Sequence, residues 1–324
     1  MKTSALVVTE QGSLDVLKLQ DVEVGEPGPG QLLVRLAAAG VNFIDNYQRE
    51  GVYPMKTPYV MGGEGAGTVE QVGADVEFAV GDVVAWSGVP GSASGLVLVP
   101  AAAAVPVPDG VDAETAAAAM LQGMTAHYLV NSTYSVQAGD DVLIHAAAGG
   151  VGQLLIQLAK AKGARVIGTV STAQKAAKAS ALGADDIINY REVSDVAAAV
   201  RDLTGGRGVA VVYDGVGKDT FERSLASLRK RGMLVLFGAS SGQVPPFDLQ
   251  RLNPAGSLFV TRPTLADYTA DRAELLERGT DILAAIADGS LQIEIGGRYP
   301  FADARQAYED LLGRRTTGKL LLMP

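Results

Sequence analysis

The stretch Asp141-Val-Leu-Ile-His-Ala-Ala-Ala-Gly-Gly-Val-Gly152 constrains this chain most, because a buried apolar strand runs into a glycine turn that opens a helix. Its spacing is Ala147-x-Gly149-x-x-Gly152. Glycine at 149 lets backbone approach a pyrophosphate, and Gly152 lets the helix pack closely on the strand. The helix N-terminus then turns free N–H groups toward the anion. Ala147 stands where the fullest form of this fingerprint has its first glycine, so the turn alone fits either a dinucleotide site or a plain tight turn. The context decides for the dinucleotide.

That context is an alternation of strands and helical stretches. Strands are expected at 141–146, 165–170, 187–189, 209–213, 233–237 and 258–261, with helical stretches at 153–162, 174–182, 195–204 and 218–227 between them. Strand and helix in turn mean βαβ units and a parallel sheet. Residues 1 to about 120 read differently, as short strands punctuated by glycine and proline, clearest at 32–36, 67–72 and 82–86. Two long helical segments, 270–288 and 301–313, precede a last strand at 319–323. That strand needs a sheet to join, and the first region is the candidate. With 324 residues the chain exceeds the size at which a single core keeps growing, which also favours two domains.

The alanine runs at 101–104, 116–119 and 197–199 share no flanking pattern or fixed period, and read as helical or close-packed filler.

The segment Thr169-Val-Ser171-Thr-Ala-Gln-Lys175 follows the second strand of the alternation, about 20 residues past the glycines, where an acid would grip the ribose 2′-hydroxyl of NAD. No acid is present. Ser171 can donate a hydrogen bond and Lys175 can pair with a 2′-phosphate, which an acid would repel. The reading is NADPH.

Composition removes several classes of function. A net charge of −9 opposes nucleic acid and anionic membrane as partners, since both need a basic footprint. The first twenty residues lack an export pattern and no run is apolar enough to span a bilayer, so the expected location is cytoplasmic. Without cysteine there are no disulfides, no thiolate nucleophile and no cysteine-ligated metal. His127 and His145 lie eighteen positions apart and form no short helical metal pair. No metal is expected.

Several further motifs lie in line along the whole chain: Ala39-Gly-Val-Asn-Phe-Ile-Asp45, Gly62-Gly-Glu-Gly-Ala-Gly67, Gly168-Thr-Val, Ile188-Asn-Tyr190, Tyr213-Asp-Gly-Val-Gly217 and Thr261-Arg-Pro263. With the glycine turn, they make the chain resemble the zinc-free quinone oxidoreductases of the medium-chain dehydrogenase/reductase superfamily, the group that includes ζ-crystallin. The resemblance implies an α/β protein: a GroES-like β-rich catalytic domain from 1–122 and 264–324, plus a Rossmann domain with a doubly wound parallel sheet, 123–263, for NADPH. It also implies an active site in the cleft between them. Zinc-containing relatives carry a cysteine in the segment matching Gly40 to Asp45 and a histidine in Gly-His-Glu. This chain has Asn42-Phe43 and Gly62-Gly63-Glu64 instead, and no four-cysteine lobe. Alcohol oxidation by the zinc mechanism then loses its Lewis acid, whereas a quinone or enone accepts hydride into a delocalised system.

By the same resemblance Asn42, Tyr47 and Tyr53 line the nicotinamide and substrate pocket, with Asn42 on the carboxamide or ribose and Tyr53 a candidate proton donor. Cofactor contacts fall on Thr125, on the turn residues Ala148, Gly149, Gly150, Val151 and Gly152, and on Ser171, Phe237, Gly238 and Ser240. Lys175, Tyr190 and Arg314 surround the 2′-phosphate. The implied activity is NADPH-dependent quinone reduction. Reduction of an enone, alkenal or enoyl thioester, and NADPH binding with a non-catalytic role, are the alternatives. The resemblance further suggests a homodimer, with 234–238 and 258–261 extending sheets across a twofold axis. The loops 48–57 and 87–95 set the size of the acceptor pocket. Asp214, at a strand-to-turn junction, is expected to serve the backbone rather than a reaction.

Overall fold

The computed structural model describes residues 1–313 and 316–324. The chain divides into two compact units, Met1–Met124 with Thr269–Pro324, and Thr125–Tyr268.

The N-terminal part is built from strands β1 (Lys2–Val8), β2 (Leu17–Glu23), β3 (Gln31–Gly40), β4 (Tyr59–Val60), β5 (Glu64–Val72), β6 (Val83–Ser87), β7 (Leu96–Pro100) and β8 (Val105–Pro106). Helix α1 (Phe43–Arg49) follows β3 directly, and helix α2 (Ala113–Tyr128) follows β8. The run Ala116 to Ala119 lies on α2 and is buried. Helix α1 begins where Asn42 leaves the extended conformation, and the Asp45 carboxylate accepts the Asn42 backbone N–H at 2.8 Å.

The second unit carries strands β9 (Asp141–Ile144), β10 (Arg165–Val170), β11 (Asp186–Asn189), β12 (Val209–Asp214), β13 (Leu228–Leu236) and β14 (Phe259–Thr261). Helices α3 (Gly150–Ala161), α4 (Ala173–Ala181), α5 (Val196–Leu203) and α6 (Phe221–Ser227) alternate with them, and α7 (Leu265–Tyr268) closes the unit. The strands form one parallel six-stranded sheet in the order β11-β10-β9-β12-β13-β14. This is the doubly wound sheet that the alternating pattern predicts. Strands with side chains buried on both faces, such as Val209 to Asp214, are the reason they read as apolar runs. Capping residues start the helices: Thr172 accepts the Lys175 N–H on α4 and Asp195 the Ala198 N–H on α5. Tyr268 goes with this unit because its ring stacks on Tyr128 at 4.2 Å and its hydroxyl accepts a bond from Thr133.

Several boundaries differ from the sequence expectation. Strand β9 stops at Ile144 because Ala146 adopts a left-handed φ of 51°. Helix α6 starts at Phe221, and β13 starts at Leu228, well before residue 233. Strand β13 is paired on both sides, by β12 and β14, so Leu234 and Val235 offer no free edge to a second subunit, and 237–238 lie past the strand's end. Of the two segments expected at the twofold axis, β14 alone is an edge; β11 is the edge at the other end of the sheet.

The chain then forms helix α8 (Arg272–Ala287), strand β15 (Ile295–Pro300), helix α9 (Ala304–Leu312) and strand β16 (Lys319–Met323). The final strand joins the first unit, pairing antiparallel with β3 and parallel with β15 in a seven-stranded sheet. Strand β15 and the three-stranded sheet β2-β1-β4 are additions that the sequence reading does not contain. Leu32, Val34, Leu36, Trp86, Phe301, Tyr308 and Leu320 belong to the core of this unit.

Candidate active site

The second unit gathers most of the expected cofactor residues at the carboxyl edge of its sheet. Gly149 caps α3 with an extended backbone and no side-chain cap, so the N–H groups of Gly150, Val151 and Gly152 in the first turn lack an intrahelical acceptor. A Cβ on Gly152 would come 2.4 Å from the Ala146 carbonyl oxygen, which is the close helix-to-strand approach that glycine alone permits. Ala148 is buried beside it, and its carbonyl accepts the Gln153 side chain at 2.9 Å. The turn leans on the next strand through Ala147 N–H to the Thr169 carbonyl at 3.1 Å. Such an array of backbone donors and helix dipole fits a pyrophosphate.

Strands β10 and β11 end in register, Val170 beside Asn189, and the Tyr190 N–H donates to the Val170 carbonyl at 3.0 Å. Ser171 leaves β10 and Lys175 stands in the first turn of α4, both half-buried, while Tyr190 is 38% exposed. These three residues therefore follow the ends of two neighbouring strands, with no acid at the tip of β10. Arg314, expected beside them, lies outside the described residues. On the other side of the sheet, Phe237, Gly238 and Ser240 follow β13. Phe237 N–H donates to Asp214 and Ser240 N–H to Gly215, and a Cβ on Gly238 would come 2.5 Å from the Gly215 carbonyl oxygen. Thr125 is carried by α2 and is buried.

Asp214 and His145 form a buried network beneath this edge. Asp214 Oδ1 accepts the Val216 and Gly217 N–H groups and the Thr220 hydroxyl, and Oδ2 accepts the Ser224 hydroxyl at 2.7 Å. Ser224 has one proton and the carboxylate takes it, so His145 Nε2, 3.0 Å away, is the donor in that contact. Nδ1 then accepts from Thr169 at 2.9 Å. Burial lowers the His145 pKa, the Asp214 charge opposes that shift, and Arg223 adds to it. A neutral imidazole with both nitrogens engaged ties β9, β10 and α6 together, and Asp214 serves the turn after β12, as its strand-end position predicts.

The first unit holds a different kind of site. Asn42 is 3% exposed, and its amide is fully engaged. Nδ2 donates to Glu64 Oε2 at 2.9 Å and to the Gly40 carbonyl at 3.2 Å, while Oδ1 accepts from Lys319 Nζ at 2.7 Å and from Gln122 Nε2 at 2.8 Å. Lys319 Nζ also donates to Glu64 Oε2 at 2.5 Å and to Gln122 Oε1 at 2.9 Å, and Glu64 Oε1 accepts the Leu121 N–H at 2.6 Å. The ion pair is buried on both sides, with side chains 4% and 0% exposed. A buried pair survives only when its remaining donors and acceptors are satisfied, as they are here.

Asp45, one turn into α1, is also fully buried. Its Oδ2 accepts the Tyr308 hydroxyl at 2.9 Å and the Asn42 N–H, and Oδ1 has no partner among the described residues. Burial pushes its carboxyl up to about 6, against the lowering effects of those two hydrogen bonds and of Lys319, and Glu64 adds to the rise. Tyr47 and Tyr53 meet edge to face, with ring centroids 5.9 Å apart at 80°, and Tyr53 is 45% exposed. The structure thus joins the two tyrosines to each other and Asn42 to a polar cluster. Lys319 and Gln122 were absent from the expected site. Lys319 opens an apolar strand at the chain end and Gln122 sits beside an alanine run, positions that in sequence signal a surface residue. Among the described residues, no group of three or more His, Cys, Asp or Glu is arranged to hold a metal ion, and no helix is long and apolar enough to cross a membrane.

A GroES-like sheet unit and a parallel-sheet unit with this glycine turn, in one chain, define an oxidoreductase of the medium-chain dehydrogenase/reductase class. Residues 28–109 match the alcohol dehydrogenase GroES-like domain, and residues 150–277 the zinc-binding dehydrogenase family. A quinone oxidoreductase of Pseudomonas aeruginosa is 45% identical over 316 residues, covering 97% of each chain. A 2-haloacrylate reductase of a Burkholderia species is 43% identical, covering 99% of this chain and 98% of its own. The crystal structure of Escherichia coli quinone oxidoreductase complexed with NADPH superposes with a TM-score of 0.96 at 41% identity, covering 99% of this chain and all of that one. The chain belongs to the zinc-free quinone oxidoreductases of this superfamily.

Proposed function

We propose that the chain reduces quinones with NADPH and without a metal. The observation that carries the cofactor half of this reading is the tip of β10, where Ser171 and Lys175, with Tyr190 at the end of β11, stand in place of a ribose-gripping acid. The residues present fit the group: backbone donors of Gly150, Val151 and Gly152 for the pyrophosphate, Lys175 and Tyr190 for the 2′-phosphate, and Phe237, Gly238 and Ser240 at the same sheet edge. When bound, NADPH supplies a hydride. The protein's part is to hold the acceptor, keep water out and stabilise the negative charge that develops on the acceptor oxygen. Tyr47 and Tyr53 offer flat apolar walls with polar tips for a ring. The NADPH complex of the Escherichia coli quinone oxidoreductase supports the same reading.

A second reading has its own support in the 2-haloacrylate reductase relative: reduction of an activated alkene conjugated to a carbonyl. One assay separates the two. NADPH oxidation is followed with simple ortho- and para-quinones, with enones and with 2-chloroacrylate under identical conditions. Quinone turnover far above the others is expected, and none above blank refutes the leading reading. The same proposal includes a homodimer formed through the free edge of β14.

A further inference from the structure

The buried cluster of the first unit has one member that reaches the surface. Glu64, Lys319 and Asn42 are 0%, 5% and 3% exposed, whereas Gln122 is half-buried. The hydrogen bonds fix how both amides are turned. An ammonium only donates and a carboxylate only accepts, so Asn42 must direct Oδ1 to Lys319 and Nδ2 to Glu64. Asn42 Oδ1 then takes one Nε2 proton of Gln122, and Gln122 Oε1 faces the Lys319 ammonium. All four bonding positions of Asn42 and all three ammonium protons of Lys319 are used inside the cluster. One donor remains: the second Nε2 proton of Gln122 has no acceptor among the described residues.

We infer that Gln122 is the catalytic hydrogen-bond donor to the acceptor's carbonyl oxygen, and that Lys319, working through Gln122, is the positioning residue that strengthens it. This rests on the reading of the chain as a reductase of conjugated carbonyl acceptors. A positive charge bonded to Oε1 draws electron density from the amide, and bonds in such a chain strengthen one another by roughly 10–30% each. The hydride brings two electrons to a carbon of the acceptor, one π pair moves onto the carbonyl oxygen, and NADPH is left as NADP⁺. The oxyanion later takes one proton from water. Gln122 surrenders no proton at any point. It holds the charge while it exists, and the cluster beneath keeps it aimed, so no reorganisation is needed at the moment of reaction.

The test uses p-nitrophenol, whose phenolate is a coloured mimic of that oxyanion, bound to the full chain without cofactor. In the wild type the bound phenol is expected to ionise at lower pH than the free one. Gln122→Met should abolish this shift and lower kcat for the acceptor about 100-fold, leaving the KM for NADPH within error; because it also takes an acceptor from the buried Lys319 ammonium, the unfolding midpoint is expected to fall. Glu64→Gln with Lys319→Met removes both buried charges and strands neither. It should keep a smaller shift than the wild type, and adding Gln122→Met should remove the remainder, at a smaller cost than Gln122→Met has in the wild type. A merely structural cluster would instead lower the unfolding midpoint while the phenol shift and the kcat of the folded enzyme stayed. The inference is overturned if Gln122→Met keeps the phenol shift and kcat, if the wild type shows no shift, or if the losses simply add. Should the charge-removed variant not fold, Gln122→Met alone decides. A wild type that reduces enones but no quinone removes the quinone reading and leaves this one standing, because both acceptors place the charge on a carbonyl oxygen.

Discussion

The Cβ that Gly40 lacks would lie 2.1 Å from Glu64 Oε2 and 2.8 Å from the Lys319 side chain. The last residue of β3 is therefore backbone packed directly onto a buried ion pair, and its carbonyl accepts the Asn42 amide. Any side chain at 40 must push apart two buried charges that the Asn42 amide, Gln122 and the Leu121 N–H hold in place. Breaking such a pair leaves uncompensated buried charge, at about 3–5 kcal/mol. Gly40→Ala is expected to lower the free energy of unfolding by an amount of this order in urea titration. A loss under about 1 kcal/mol would mean that the pair can step aside.

The glycine turn makes a comparable demand in the second unit. Gly152→Ala would set a methyl 2.4 Å from the Ala146 carbonyl oxygen, inside the turn that presents the α3 amides. The helix must withdraw from the strand, and its N–H groups must move with it. NADPH affinity, measured by quenching of protein fluorescence, should fall at least about tenfold, equivalent to about 1.4 kcal/mol. Unchanged affinity would detach the turn from the pyrophosphate.

Discrimination between the two nicotinamide cofactors is assigned to Lys175 and Tyr190. Lys175→Ala and Tyr190→Phe are each expected to raise the Michaelis constant for NADPH several-fold more than that for NADH, since NADH has no 2′-phosphate to lose. Arg314→Ala should behave likewise. Equal effects on both cofactors would remove this assignment.

Much of the second unit was legible because its information is local. A strand buried on both faces must be apolar throughout, so Val209 to Asp214 announces itself, and Arg165 to Val170 was bounded to the residue. The first unit was less so. Strand β15, Ile295-Gly-Gly-Arg-Tyr-Pro300, carries two glycines and two prominent polar side chains, and is a strand only because β16 lies beside it. The same holds for the polar cluster. Asn42 stands out in sequence, but Lys319 is brought to it by the pairing of β16 with β3, Glu64 by that of β5 with β3, and Gln122 by α2, which no spacing rule encodes. Nor does an apolar stretch reveal whether it is an edge: 234–238 and 258–261 look alike in sequence, and only the strand order makes the first internal.

That order sharpens the test of the dimer. Phe259 on β14 is 55% exposed at the free edge, and Leu249 close by in sequence is 69% exposed. If two copies join there, Phe259→Asp buries like charges facing each other across the twofold axis. Light scattering should show the wild type at twice the monomer mass and the variant at the monomer mass, with NADPH binding retained by both. A wild-type monomer would end this proposal.

Two buried groups should give stability opposite responses to pH. Asp45 is raised from its ordinary 3.8 to about 6 in the fold, chiefly by burial. The folded state therefore binds a proton that the unfolded chain has already released. Stability from this group is full below about pH 4 and is lost as pH rises through about 6, a change of about 3 kcal/mol. His145 has its pKa lowered, again by burial, so its contribution is present above the unfolded value of about 6.5 and declines as pH falls below it. The two slopes oppose each other in the wild type, and single substitutions expose them. Asp45→Asn keeps an oxygen for the Asn42 N–H and the Tyr308 hydroxyl. Its stability relative to the wild type should improve by about 3 kcal/mol between about pH 4 and pH 7.5 in denaturant titrations. His145→Gln should instead gain on the wild type as the pH drops below about 6.5. A difference between Asp45→Asn and the wild type that is independent of pH would show that Asp45 stays ionised in the fold, with its Oδ1 charge met by a group other than those bonded to Oδ2.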